Sequence, residues 1–282
     1  MSEQNVLNAA GEAGSELREK AVLLSSILKD MGSVAVCYSG GVDSTLLLTV
    51  ASEVLGDRCI GVICLDASVP EREIAAALEY CREKGISLVS TRVDPMQSAE
   101  YRSNTPDRCY YCKHSIMSEV SRIAREKDLE VIVEGSNVDD AGDYRPGIRA
   151  LKELGIRSPL REAGLTKSEI RELSKAMDIP TWNKPAFACL ASRIPYGEEI
   201  TKDKLTRIDK SEQVLSDLGF RQFRVRSHGN IARIELDNVP KGSVTISLGA
   251  VIVEAVDGVI RDDYESIYKR ADAQMYKCKS KP

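Results

Sequence analysis

Three groups of residues in the 282-residue chain are of the right kind, at the right intervals, to bind or react. The first is Ser39-Gly-Gly-Val-Asp-Ser44, placed after a short apolar run and before a helical pattern. Gly40 and Gly41 let the backbone turn sharply and approach an anion closely. Ser39, Ser44 and Thr45 add hydroxyl donors, and a following helix presents unpaired N–H groups to negative charge. That is phosphate-binding chemistry. Asp43 would repel a bare phosphate, so it either helps cap the helix or meets Mg2+ held by the phosphates. The loop lacks the Gly-Lys-Ser/Thr element of a Walker loop and is not Gly-x-Gly-x-x-Gly. The second group is Cys109-x-x-Cys112, two thiols close enough to share a metal site, with Cys189 in a later loop; the C-x-x-C spacing alone has several meanings. The third is Arg224 and Arg226, which alternate on a strand-like run and so share one face. Two guanidiniums on one face can clamp a phosphate, although a solvated strand face with ordinary ion pairs looks the same in sequence. Asp66 could reach a ribose or cap the next helix. Asp139, Asp140 and Asp143 form an acidic loop that suits binding or folding equally, and Trp182 suits packing under a loop as well as substrate contact.

The surrounding sequence reads as strands alternating with helices. Apolar runs at 34–38, 60–65, 86–93 and 131–134 are buried-strand candidates. Helical patterns are expected at 45–55, 70–84, 112–127 and 166–177, the second with Pro70 at its start and Gly85 at its end. The last opens on Thr-Lys-Ser-Glu, a capping box with Glu169 as the reciprocal residue. Continuous apolar strands alternating with helices imply an α/β fold, a doubly wound parallel sheet covered on both faces. Ligands of such sheets sit beyond the carboxyl ends of the strands, so the loops after Tyr38, Leu65 and Glu134 should line the site. Trp182 to Gly197 is rich in Pro and Gly and leads to a helix at about 201–218 and strands at about 222–226 and 230–236. Three segments follow: 1–180 as the nucleotide domain, 181–240 as a smaller α+β C-terminal domain, and 241–282 as a strand-helix tail.

Composition bounds the function classes. With 43% hydrophobic and 29% charged residues the chain can bury a real core. No basic and apolar leader opens it and no apolar run is long enough to span a bilayer, so a cytoplasmic location without membrane contact is expected. In a reducing compartment the eight cysteines form no disulfide framework, and Cys37, Cys59 and Cys64 read as small core hydrophobes. The first 180 residues hold 22 basic against 29 acidic side chains. That balance argues against a nucleic-acid surface.

The loop Ser39–Ser44 closely resembles the SGGxDS signature of the N-type ATP pyrophosphatase (PP-loop) superfamily. Further stretches narrow the likeness: Asn104–Lys113, Glu134–Asp140, Asp143–Arg149, Arg157–Leu160 and Trp182–Gly197. Together they resemble the LarE family of ATP-dependent sulfur transferases in nickel-pincer cofactor synthesis, from about residue 15 to about 237. The resemblance implies an adenine nucleotide alpha hydrolase-like fold and a homo-oligomer. It also implies a small-molecule substrate, a pyridinium dicarboxylate mononucleotide, whose carboxylate is adenylated by ATP and then converted to a thiocarboxylate. In one branch of the family the sulfur is that of an enzyme cysteine, matched here by Cys189. In the other, three cysteines matched by Cys109, Cys112 and Cys189 hold a 4Fe-4S cluster. Three protein thiolates leave one iron open for exchangeable sulfide, whereas zinc would want a fourth Cys or His; the cluster is therefore the favoured expectation, with sacrificial Cys189 and a structural or zinc site as alternatives. The resemblance also places Arg224 and Arg226 at the substrate phosphate, and Glu212 and Glu235 near a metal; Arg193, four residues after Cys189, is a further binding candidate.

Beyond about 237 the likeness stops. Gly242–Ala250 and Lys269–Lys279 resemble the last strand and helix of GGDEF-type diguanylate cyclases, but the Gly-Gly-Asp/Glu-Glu-Phe signature is absent, which excludes that activity. Two alternative readings remain: a PP-loop tRNA thiolase, which the acidic first half opposes, and an inactive nucleotide-binding protein.

Overall fold

The computed structural model describes residues 3–140, 146–229, 231–236, 244–248, 251–255 and 259–263. Asp143 and the helix expected at 269–279 lie outside the described residues. The chain divides into two units. One comprises 1–101 with 106–187, and the other 102–105 with the chain from Ala188 onward.

The first unit is built on a parallel four-stranded sheet. Its strands are β1 (Val34–Tyr38), β2 (Cys59–Leu65), β3 (Leu88–Arg92) and β4 (Val131–Val133), in the spatial order β3-β2-β1-β4. Val36 pairs with Gly61 on one side of β1 and with Val133 on the other. β1 is central and apolar because both of its faces are covered. Two N-terminal helices, α1 (Glu3–Ala13) and α2 (Ser15–Asp30), precede it. In α2, Leu17, Ala21, Leu24 and Leu28 are buried at helical spacing in the same core as Val34, Val36 and Tyr38.

The remaining helices of this unit are α3 (Val42–Leu55), α4 (Glu71–Lys84), α5 (Ala99–Arg102, at the unit boundary), α6 (Arg108–Glu126), α7 (Pro146–Glu153), α8 (Pro159–Glu162) and α9 (Lys167–Ala176). α4 ends as expected, with Gly85 left-handed at φ 66°. The capping box of α9 is complete: Thr166 accepts from the Glu169 N–H and Glu169 accepts from the Thr166 N–H. The same Glu169 carboxylate takes the Lys20 ammonium at 2.6 Å and ties α9 to α2.

α6 begins four residues before the expected 112, so Cys109 and Cys112 both lie on its first turns. At i and i+3 they share one side of the helix.

In the second unit α10 (Lys202–Asp217) is capped by Thr201, which accepts from the Lys204 N–H. β5 (Phe223–His228) and β6 (Ile231–Leu236) form an antiparallel pair extended by β9 (Val259–Asp263), while β7 (Val244–Leu248) pairs with β8 (Val251–Ala255). Residues 102–105 join this unit through Asn104, fully buried, whose amide donates to the carbonyl oxygens of Ile194 and Pro195 at 3.3 and 2.7 Å. The division near 187 falls later than the expected 180. Arg171 on α9 donates to the Trp182 and Lys184 carbonyls and holds that stretch in the first unit. The strand expected near 242–250 is present as β7; β8 and β9 are additional. No helix among the described residues is long and apolar enough to cross a membrane.

Candidate active site

The glycine loop sits between the carboxyl end of β1 and the start of α3. Gly40 takes φ 69°, a conformation costly for residues with a side chain, and a Cβ there would stand 2.8 Å from the Ala77 Cβ on α4. The Ser39 and Ser44 hydroxyls meet at 2.9 Å, and the Ser39 N–H points to the Ser44 Oγ at 3.2 Å. Thr45 donates its hydroxyl to the Gly41 carbonyl at 2.7 Å. Hydroxyls and amides are thus gathered around one short turn, with the unpaired N–H groups of a 14-residue helix behind them.

Asp43 does not cap α3, whose N-cap is Gly41 and which has no side-chain cap bond. Instead its carboxylate receives the Asn137 amide at 3.2 Å and the Lys167 ammonium at 2.5 Å. Lys184 donates to the Gly40 carbonyl at 2.8 Å and pairs with Glu73 at 2.5 Å. Two cations therefore stand at a turn for which the sequence suggests hydroxyls and backbone alone. Lys167 lies 124 positions from its partner and Lys184 144. Neither contact has a local signal, and only the fold brings them in.

The loop after β4 forms the neighbouring wall. Glu134 is 4% exposed; it accepts the Ser136 N–H at 3.0 Å, the Ser158 hydroxyl at 2.6 Å, and lies 3.7 Å from the Lys113 ammonium. These donors satisfy a buried carboxylate that would otherwise be costly. Gly135 packs so closely that a Cβ there would meet the Ser44 backbone nitrogen at 2.9 Å. The acidic loop folds on itself: Asp140 accepts from the Asn137 N–H and Asp139 from the Lys167 N–H. Asp66, past β2, accepts the Ser68 N–H at 2.6 Å and shapes the turn before α4, whose N-cap is Pro70. Burial pushes the Asp66 carboxyl above its ordinary value, against the Ser68 hydrogen bonds. The Lys175 ammonium lies 5.1 Å from the Trp182 ring centroid.

Of the cysteines, Cys109 is exposed and Cys112 and Cys189 are half-buried. Cys59 and Cys81 are buried, and burial pushes their thiols up to about 12 and about 11. Cys109 and Cys112 belong to the first unit and Cys189 to the second. Among the described residues no three His, Cys, Asp or Glu side chains form a group that could hold a metal ion. The three cysteines expected to hold a 4Fe-4S cluster are thus divided between the two units.

In the second unit Cys189 opens a 3-10 turn (Leu190–Arg193). Arg193 is 2% exposed and Glu212, on α10, is fully buried. The guanidinium donates Nε to Glu212 at 2.8 Å and Nη1 to the Ala188 carbonyl at 2.6 Å. Glu212 also accepts the Val225 N–H of β5 at 3.0 Å. Arg226 pairs with Glu235 at 2.8 Å, and Arg224 lies directly across the ladder from Glu235. Burial would raise the Glu235 carboxyl; the Arg226 hydrogen bond and the charges of Arg226, Arg233 and Arg224 outweigh it and hold Glu235 below the usual range. The two carboxylates expected near a metal are thus both engaged by guanidiniums.

No protein-family model matches the chain. It is 38% identical over 238 residues to an uncharacterized protein of Synechocystis sp., covering 84% of this chain and 89% of that one. It is 36% identical over 231 residues to the pyridinium-3,5-bisthiocarboxylic acid mononucleotide synthase of Lactiplantibacillus plantarum, covering 82% and 84%. A more distant likeness, 24% over 217 residues, covers 69% of this chain and 42% of the glutamine-hydrolysing GMP synthase of Aeropyrum pernix. Identity above one third across four-fifths of both chains goes well beyond a shared nucleotide fold, and the chain belongs to the LarE family, that of the pyridinium-3,5-bisthiocarboxylic acid mononucleotide synthase.

Proposed function

We propose that the protein is an ATP-dependent sulfur transferase that converts a carboxylate of a pyridinium dicarboxylate mononucleotide to a thiocarboxylate. The observation that supports this reading is the glycine turn with converging hydroxyls at Ser39–Thr45 in a chain 36% identical to a named synthase of the thiocarboxylated mononucleotide. Substrate carboxylate oxygen attacks the α-phosphorus of ATP, pyrophosphate leaves, and an acyl adenylate forms. Amides and hydroxyls of Ser39, Gly40, Gly41 and Ser44 hold the departing pyrophosphate, supplying fixed donors where charge develops. Lys167 and Lys184 stand ready to add positive charge. Mg2+ bound to ATP needs only one or two protein carboxylates besides phosphate and water, and Asp43 is the carboxylate at this turn. Asp66 is our candidate for the adenosine ribose, and Arg224 and Arg226 for the substrate phosphate.

For sulfur delivery we assign Cys189, the residue that the sacrificial and cluster routes share. Its thiolate attacks the acyl carbonyl and AMP leaves, giving a thioester. Loss of the Cys189 Cα proton to a base then breaks the Cβ–S bond and releases the thiocarboxylate, leaving dehydroalanine. We place the enzyme in the cytoplasm, where its seven described free thiols stay reduced, and expect a homo-oligomer, to be checked by light scattering. The test uses Cys189→Ala and Cys109→Ala with ATP and the dicarboxylate. Cys189→Ala should release pyrophosphate and make no thiocarboxylate, while Cys109→Ala should make both. Thiocarboxylate from Cys189→Ala rejects the assignment of Cys189. Pyrophosphate formation by neither wild type nor variant rejects the ATP-dependent activation itself.

A further inference from the structure

The Cys189 turn is fastened by a buried ion pair. Arg193 points back under its own turn, donating Nη1 to the Ala188 carbonyl at 2.6 Å and, more weakly, to the Cys189 carbonyl at 3.4 Å, and reaching the Ser192 hydroxyl at 3.0 Å. The Cys189 carbonyl also accepts the Ser192 N–H at 2.9 Å. On its other edge the same guanidinium lies on both oxygens of Glu212, at 2.8 and 3.3 Å, and Glu212 in turn fixes β5 through the Val225 N–H at 3.0 Å. Arg226 adds a contact of 3.4 Å to the Ser192 carbonyl. With side chains 2% and 0% exposed, Arg193 and Glu212 are engaged with protein groups.

We infer that Arg193 and Glu212 are positioning residues for Cys189: the pair ties the Ala188 and Cys189 carbonyls, which flank the Cys189 Cα, to α10 and β5, and so fixes where the Cys189 thiol is presented. Stability alone is a poor reason for such a pair, because taking two charges out of water consumes most of what their attraction returns, and uncharged replacements of similar size are often neutral or better. Orientation is what a planar, five-donor guanidinium gives that an apolar side chain does not. The inference rests on the proposed role of Cys189 in sulfur delivery, and its test includes a readout that does not.

The test compares wild type, Arg193→Lys and the double variant R193M/E212Q, which removes both charges but keeps a side-chain oxygen for the Val225 N–H. Three quantities are read: thermal midpoint, iodoacetamide labelling rate at Cys189 against Cys109 by mass spectrometry, and thiocarboxylate formation against ATP–pyrophosphate exchange. A positioning role predicts a double variant that stays folded and labels Cys189 severalfold faster with Cys109 unchanged. It also predicts a loss of about 100-fold in sulfur transfer, the scale on which small misplacement of a reacting group acts, with pyrophosphate exchange kept. Arg193→Lys, still charged but unable to span Glu212 and two carbonyls, should behave like the double variant in labelling. Wild-type labelling at Cys189 in both variants overturns the inference whatever the transfer assay gives. So does a folded double variant that transfers sulfur at the wild-type rate. If wild type itself makes no thiocarboxylate, the proposed function fails, while the labelling comparison still decides the positioning role.

Discussion

Among single residues, those packed around the phosphate turn matter most. Gly135 offers the sharpest check, because a Cβ there would stand 2.9 Å from the Ser44 backbone nitrogen and 3.2 Å from Asp43. Backbone cannot retreat as a flexible side chain can, so Gly135→Ala should displace the turn. Overpacking of this kind costs about 1–3 kcal/mol, and here it falls on ATP binding, measured by titration calorimetry; unchanged ATP affinity would show that the turn does not bind the nucleotide. The two glycines and three hydroxyls of this turn are legible in the sequence because each residue type has a local backbone or donor reason to be there. Asn137, Lys167 and Lys184 are not, since each reaches the turn from 94 or more positions away. Arg193 and Glu212 are legible as charges only. Their burial against each other, which changes them from ligand contacts to a brace, is a property of the fold.

Among the elements, the strands of the parallel sheet are legible because a short apolar run bounded by turn residues suits little besides a strand buried on both faces. Helices are legible where a cap marks them. α9 is the case in point, and Thr166→Ala should cost about 1 kcal/mol in denaturant unfolding through loss of the hydroxyl that accepts from the Glu169 N–H. A variant as stable as wild type would mean the cap is redundant with the Lys20–Glu169 tie between α9 and α2. The start of α6 is poorly legible: Asp107 is a residue type suited to an N-cap but makes no side-chain cap bond there, and the apolar periodicity begins only later. The difference matters, since it moves Cys109 from a loop onto the same helix side as Cys112. α2 is obscured for a related reason: exposed Val22 and Leu23, 48% and 47% accessible, blur its apolar stripe.

Across the whole molecule, the candidate residues are divided between two units. The first carries the phosphate turn and the C-x-x-C pair, and the second carries Cys189, the arginines of β5 and their carboxylates. Buried thiols give the fold an alkaline limit. Burial moves Cys81 from the ordinary thiol value of 9.0 to about 11 and Cys59 to about 12. Between these values the unfolded chain has released protons that the folded chain keeps. The unfolded state then binds fewer protons, and stability falls as pH rises, by about 1.4 kcal/mol per pH unit for each such thiol. Urea unfolding near pH 8 and pH 10 should show this fall, and Cys59→Ala should lessen its slope; an unchanged slope would contradict the burial argument.

The proposed function turns on ATP cleavage being coupled to exchange of a substrate oxygen for sulfur. The decisive measurement incubates purified enzyme with ATP and the pyridinium dicarboxylate mononucleotide, and weighs the product by mass spectrometry alongside AMP and pyrophosphate. The expected result is a mononucleotide heavier by one oxygen-to-sulfur exchange for each AMP and pyrophosphate formed, with a Cys189 peptide lighter by the elements of H2S. An unchanged mononucleotide mass, with or without pyrophosphate release, would contradict it.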